Sequence, residues 1–319
     1  MTSSRTGKIL SIVETLFLSI YIGFLLEIAS YAGRCAYRFI DVTGHWFRSR
    51  EFFASTFERG VLKNAEINLK KHGVADDDNV DSVIKDYLKF ESRFALENIW
   101  IRKNDSSKII KSFDCTDVKE LKDLLKKRNF IIVTPHTPAL YMLVSLITKL
   151  GHDASFVVMN PFLNVGKQIT PAQKTILKLF SRWTEFQKFI FMENGEVFER
   201  CTKYLQSGNS IIMAPDTPSD APQKVPVDFM QYKTMVAPGA AVISQKYRIP
   251  ILAVTPWAEN INVPFRLNIK VIEPENADNI TEEIQSIMNQ IFNSFEVSIR
   301  LNPAFWHGWL YWHYMEHCR

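Results

Sequence analysis

Phe130-Ile131-Ile132-Val133-Thr134-Pro135-His136-Thr137-Pro138-Ala139-Leu140-Tyr141 decides the fold of this chain. Its first four residues form a continuous apolar run, the pattern of a strand buried on both faces of a parallel sheet. The segment after it, Ala139 to Leu150, is apolar at helical spacing and stops at Gly151, so the stretch reads as strand, turn and helix. His136 falls in the turn, at the carboxyl end of the strand and beside a helix N-terminus, where open α/β sheets expose their chemistry. The plainer alternative is a packed histidine that satisfies a local backbone group.

Working outward, apolar runs recur at 155–159, 188–192, 210–214 and 250–255, with helix-like stretches at 171–183, 195–207 and 236–247 between them. A strand near 267–272 leads to a helix over 280–300 that Asn279 and Glu282 can start as a capping box. This alternation predicts an α/β fold, a mostly parallel central sheet flanked by helices. Gly208-Asn209 marks a helix stop, and Gly239-Ala240-Ala241 allows close packing of the next helix. Upstream, residues 51–103 read as helical, with Val80, Val83, Ile84, Tyr87 and Leu88 on one face. Asp117 with Glu120 has the spacing of a capping box for a basic helix that runs to Arg128. The chain carries no internal repeat and no low-complexity stretch.

The composition fits a folded protein of 319 residues, 46% of them hydrophobic. Cys35, Cys115, Cys201 and Cys318 are scattered, which argues against a cysteine-built metal site and for four small core residues in a reducing compartment. A net charge of +4 is too small to point to nucleic acid, and suits an anionic membrane surface or an acidic carrier protein.

From Ile9 to Gly33 only Glu14 and Glu27 are charged, and Arg5, Lys8, Arg34 and Arg38 flank the stretch. The uncharged interval from Thr15 to Leu26 falls short of the roughly 20 residues that cross a bilayer core. An interfacial anchor, a tilted span and a core helix all fit it, and no cleavage site of the Ala-x-Ala kind follows. The expected organisation is a membrane-associating helical segment over 1–50 and an α/β domain over 51–319, with the helical preface at its start and an aromatic helix at its end.

A second strand end lies at Ile212-Met213-Ala214-Pro215-Asp216-Thr217. Parallel strands deliver their C-terminal loops to one edge, so Asp216 is placed to orient the His136 imidazole or to stabilise its protonated form. An N-cap or turn aspartate is the bland alternative. Near the C-terminus, His307, His313, His317 and Cys318 raise the question of a metal, but Trp306, Trp309, Tyr311 and Trp312 among them favour an aromatic interfacial segment. His45, His72 and His152 sit in polar or loop surroundings, and the Lys119, Lys122, Lys126, Lys127 and Arg128 run is either a solvated helix face or a dock for an acidic carrier or lipid headgroups.

The order of these features resembles the bacterial lipid A late acyltransferases and the wider lysophospholipid acyltransferase superfamily. The likeness spans most of residues 55–315: the helix to Trp100, the strand-histidine turn, Leu205 to Ile212, Pro215-Asp216-Thr217, Val225-Pro226-Val227-Asp228-Phe229, Pro238-Gly239-Ala240, and the ending Asn302 to His313. The resemblance implies transfer of an acyl group from a thioester, on acyl carrier protein or coenzyme A, to a hydroxyl or amine. It implies no metal or redox cofactor, and places the protein at the cytoplasmic face of a bacterial inner membrane, peripheral or anchored by its N-terminus. His136 is then the general base, and Thr137, Tyr141, Thr217, Phe229 and Gly239 are the expected substrate contacts. Backbone N–H groups near Ala139 and Leu140 would stabilise the oxyanion. In the family a carboxylate follows the histidine by five positions. This chain has Tyr141 there, so either the Tyr141 phenol accepts a hydrogen bond from the ring or Asp216 supplies the missing charge from the neighbouring loop, the second being the expectation. Gln231 stands where the family has glycine. The departure at Tyr141 also motivates two rivals, a non-catalytic homologue that binds lipid or carrier protein, and an acyltransferase acting on an amine or specialised-metabolite intermediate.

Overall fold

In a computed structural model of the protein, residues 26–32, 35–54, 61–158, 188–192, 196–218, 221–275, 279–312 and 315 are described. Strand β1 (Ile131–Val133) is central to a six-stranded sheet. Strands β4 (Ser210–Met213) and β7 (Ile251–Trp257) pair with it in parallel on its two sides. Beyond β4 lie β2 (Ala154–Val158) and β3 (Lys188–Phe191), also parallel, and β8 (Arg266–Ile272) closes the far edge antiparallel to β7. The expected mostly parallel sheet is therefore present.

Successive side chains of a strand point to opposite faces, and both faces of β1 are covered. Ile132 joins a core with Ile212, Leu252 and Val254 under helices α4 (Val80–Arg102), α5 (Ser106–Lys111), α6 (Cys115–Leu125) and α7 (Leu140–Lys149). Ile131 and Val133 join the other core with Ile211, Ile251 and Ala253 under α8 (Val197–Gln206), α9 (Gly239–Tyr247) and α10 (Ile280–Leu301).

Several local expectations need correction. Helix α6 starts at Cys115 and is capped by Asp114, whose carboxylate accepts from the Thr116 and Asp117 N–H groups. Asp117 instead reaches out of the helix to Arg266 Nε at 2.9 Å and the Leu267 N–H at 2.8 Å, tying α6 to β8. The helix expected over 236–247 is present from Gly239 to Tyr247, and just ahead of it lies a hairpin that was not expected, formed by β5 (Val225–Phe229) and β6 (Tyr232–Val236). Its turn residues Met230 and Gln231 both have positive φ, 53° and 68°, which explains why glycine suits this position. Here the strained turn is held by its neighbours: Met230 donates its N–H to Glu296 and accepts from His72 Nδ1 at 2.9 Å. His72 does lie outside the helices, in the turn after Lys71, but it is buried and makes a structural bond. Cys35 and Cys115 are exposed, so among the described cysteines only Cys201 fills the core role expected of it. The cap of α10 is as expected, with Asn279 accepting from Thr281 and Glu282.

The preface is helical, with α3 (Val61–Lys71) and α4, but the packed unit begins earlier than residue 51. In helix α2 (Cys35–Ala54), Ala36, Tyr37, Ile40 and Gly44 are buried against α4. The Tyr37 hydroxyl donates to Glu97 at 2.8 Å, and Glu97 accepts from Arg93 Nε at 2.7 Å. Arg93 also donates to the Ile261 and Val263 carbonyls, with its guanidinium between the Tyr37 and Phe265 rings. Even α1 (Leu26–Tyr31) contributes, since Trp100 donates its indole N–H to the Ser30 carbonyl at 3.0 Å. Among the described residues no helix is long and apolar enough to cross a membrane. The apolar run before Leu26, the helix expected over 171–183, and His313, His317 and Cys318 lie outside the described residues.

Candidate active site

The site is built where β1 and β4 end. Val133 and Met213 are Cα partners across the two strands, and the Thr134 N–H still bonds the Met213 carbonyl at 3.0 Å. The chains then leave the sheet together, each bearing its polar residue at the third position, His136 on one and Asp216 on the other. Pro135 and Pro138 bracket the histidine turn; each fixes its own φ and disfavours helix at the residue before it, so the turn stays open until α7 begins.

Asp216 is fully buried at its side chain, whereas 31% of the His136 side chain is exposed. Carboxylate oxygen Oδ1 lies 2.6 Å from His136 Nδ1, and Oδ2 accepts both the His136 backbone N–H and the Trp306 indole N–H, each at 2.8 Å. Burial alone would raise the Asp216 carboxyl, but the His136 charge and these donors outweigh it and hold the group below its usual range. An ionised Asp216 only accepts, so Nδ1 carries a hydrogen, and in the neutral ring the lone pair is then on Nε2. Nε2 has no partner among the described residues. The arrangement is that of a base oriented by an acid.

The C-terminal segment completes it. Two 3-10 turns, Pro303–Phe305 and His307–Leu310, replace the expected terminal helix. The His307 N–H bonds the His136 carbonyl at 3.0 Å. Trp306, Trp309 and Trp312 are buried rather than interfacial, packed on one another and, for Trp306 and Trp312, on Phe229. The His307 ring turns away to Tyr87 Oη at 2.9 Å and Glu91 at 3.2 Å on α4. Among the described residues no cluster has the makeup of a metal site.

A profile of the bacterial lipid A biosynthesis acyltransferases matches residues 5–314, nearly the whole chain. The chain belongs to this family. No curated protein matches it.

Within this acyltransferase framework the other expected residues fall unevenly. Thr137 adjoins the pair, buried, with its Oγ1 unpartnered among the described residues. Thr217 follows Asp216 and is half-buried. Tyr141, where the family carries its acid, stacks on Phe94 at 5.7 Å and meets the edge of Phe156 at 6.0 Å. Burial pushes its phenol up to about 12, so it stays neutral. Phe229 is a core residue under the Trp306 indole, and not a surface open to substrate. Gly239 opens α9, and among the described residues an added Cβ there would meet only Met213 Cε at 3.9 Å, so close approach is not what it provides. The Leu140 N–H is taken by the Thr137 carbonyl at 3.0 Å, which removes it as an oxyanion donor. Sequence reasoning missed the parts played by Trp306 and His307, and also Tyr311, whose hydroxyl is buried without a partner among the described residues and whose phenol is raised by burial and by the Asp216 charge. The only signal for them was the density of aromatics at the chain end.

Proposed function

We propose that this member of the lipid A acyltransferase family transfers a fatty or related acyl group from a thioester, on acyl carrier protein or coenzyme A, to a hydroxyl or amine. His136 is the general base. Its Nε2 takes the proton of the acceptor as the acceptor oxygen or nitrogen attacks the thioester carbonyl. The tetrahedral adduct collapses with cleavage of the C–S bond, and the same proton passes to the leaving thiolate. Asp216 holds the reactive tautomer and stabilises the imidazolium formed between the two transfers. Thr137 and Thr217, each adjoining a member of the pair in sequence, are the side chains assigned to orienting substrate.

The observation that carries this reading is the 2.6 Å contact of a partly exposed histidine with a fully buried carboxylate at the end of two parallel strands. It also weighs against the non-catalytic rival, because the charge absent at Tyr141 is supplied from β4. The reading extends to a membrane surface as the working location, with the exposed lysines of α6 and of Lys126-Lys127 facing the headgroups or an acidic carrier. Acyl transfer by wild-type and His136→Ala protein, with acyl-carrier and acyl-CoA donors compared, tests it.

A further inference from the structure

The Trp306 indole is wholly buried and donates to Asp216 Oδ2 at 2.8 Å. Two other buried tryptophans place their N–H on backbone carbonyls, Trp100 on Ser30 and Trp309 on Pro303. Trp306 alone among these uses an ionised side chain, and that side chain is the partner of His136. We propose that Trp306 is a positioning residue for the His136–Asp216 pair, fixing the carboxylate so that its second oxygen is aimed at the imidazole. The inference rests on the reading of His136 as the base and adds a determinant of its protonation.

Three independent features hold the indole in place. Phe229, Trp309 and Trp312 box the ring at centroid distances of 5.3, 4.8 and 5.5 Å. A Cβ added at Gly308 would stand 2.0 to 2.5 Å from the Trp306 ring atoms, so the ring lies where no side chain at position 308 could be accommodated. The next residue, His307, ties its N–H to the His136 carbonyl at 3.0 Å, so one short segment grips both members of the pair. With Oδ2 bonded by the indole and by the His136 N–H, rotation of the carboxylate is blocked and Oδ1 is left for Nδ1.

A donor to a carboxylate is worth more when the neighbouring imidazole is neutral than when it already carries a compensating charge. Loss of the indole N–H therefore favours the imidazolium, and the base stays protonated to higher pH. The other titratable groups around the pair are the Tyr311 phenol, raised by burial and Asp216 and hence neutral, and His307, which is bonded to Tyr87 and Glu91.

The test uses the full chain and compares wild type, Trp306→Phe, Gly308→Ala and His136→Ala by histidine-ring NMR titration and by acyl transfer against pH. Trp306→Phe is expected to raise the His136 midpoint by roughly half a pH unit or more. It should move the acid limb of kcat/KM in the same direction and lower kcat about tenfold or more, with KM little changed. Gly308→Ala, which displaces the ring, should shift both readouts the same way. A folded Trp306→Phe protein with an unchanged midpoint and unchanged kcat would overturn the proposal and leave the indole as packing. Should both variants unfold, the wild-type indole N–H resonance decides: it must move as His136 titrates, and an indifferent resonance overturns the proposal. If His136→Ala keeps full activity the acyl-transfer reading fails, while the NMR midpoint still judges Trp306 on its own.

Discussion

His136 and Asp216, 80 residues apart in the chain, are joined twice, by the ring nitrogen and by the backbone N–H of the histidine, to the two oxygens of one buried carboxylate. The double tie follows from register. β1 and β4 run in parallel with Val133 beside Met213, so residues at the same distance beyond each strand meet. In the proposed mechanism this carboxylate provides the charge that Tyr141 does not.

The first prediction separates these two residues. Asp216→Asn keeps the shape but removes the charge and presents an amide to the ring nitrogen, so acyl transfer should fall by about two to four orders of magnitude. Tyr141→Phe should stay within about threefold of wild type. Steady-state rates with a single donor decide the order, and the reverse ranking would return the orienting role to the phenol.

Restoring the acid of the family pattern should not help. Tyr141→Glu places a carboxyl between the Phe94 and Phe156 rings, where burial already pushes a phenol up to about 12. Unfolding in urea should show a loss of about 2–4 kcal/mol, the cost of burying a poorly compensated polar group. Activity should not exceed that of wild type.

Asp216 also predicts a pH dependence of stability. Its carboxyl is held below the unfolded value of 3.8, with burial opposed and outweighed by the His136 charge and the donors. A depressed acid contributes stability that is fully present above the unfolded value and is lost as pH falls through the folded one. Wild-type stability should therefore decline below about pH 4, and Asp216→Asn should flatten that part of the curve in urea midpoints taken from pH 6 down to pH 3.

Truncation tests how far the packed unit reaches. Removing residues 1–25 should leave the sheet folded by circular dichroism. Removing 1–40 also takes Tyr37 and Ile40, breaks the hydrogen bond to Glu97, and should cost at least about 4 kcal/mol. Equal stability of the two truncated proteins would contradict this account of α2. Fractionation of the same two proteins reports whether residues 1–25 carry membrane association.

Much of the fold was legible because buried parallel strands announce themselves as apolar runs: β1, β3, β4 and β7 begin and end within a few residues of the expected bounds, and the Asn279 cap was readable from its side chain. Asp117 misled because three-residue spacing to an acid is common on helix surfaces, whereas Asp114, one residue before the first helical turn, made the bond. The β5–β6 hairpin was hidden by a turn of Met230 and Gln231, neither of which signals a positive φ. In the site, strand ends identified His136 and Asp216, since topology alone brings such loops together. Trp306 was not legible in that role, because its bond to Asp216 spans 90 residues and an aromatic-rich chain end fits a membrane interface equally well.

The central claim is that the His136 imidazole performs acyl transfer, and single-turnover transfer from a labelled acyl thioester by His136→Ala protein tests it most directly. The account predicts a folded variant with a rate about two to four orders of magnitude below wild type and with donor binding retained. A His136→Ala protein that transfers acyl groups within about threefold of wild type would contradict it, as would a wild-type protein that turns over no acyl-carrier or acyl-CoA donor.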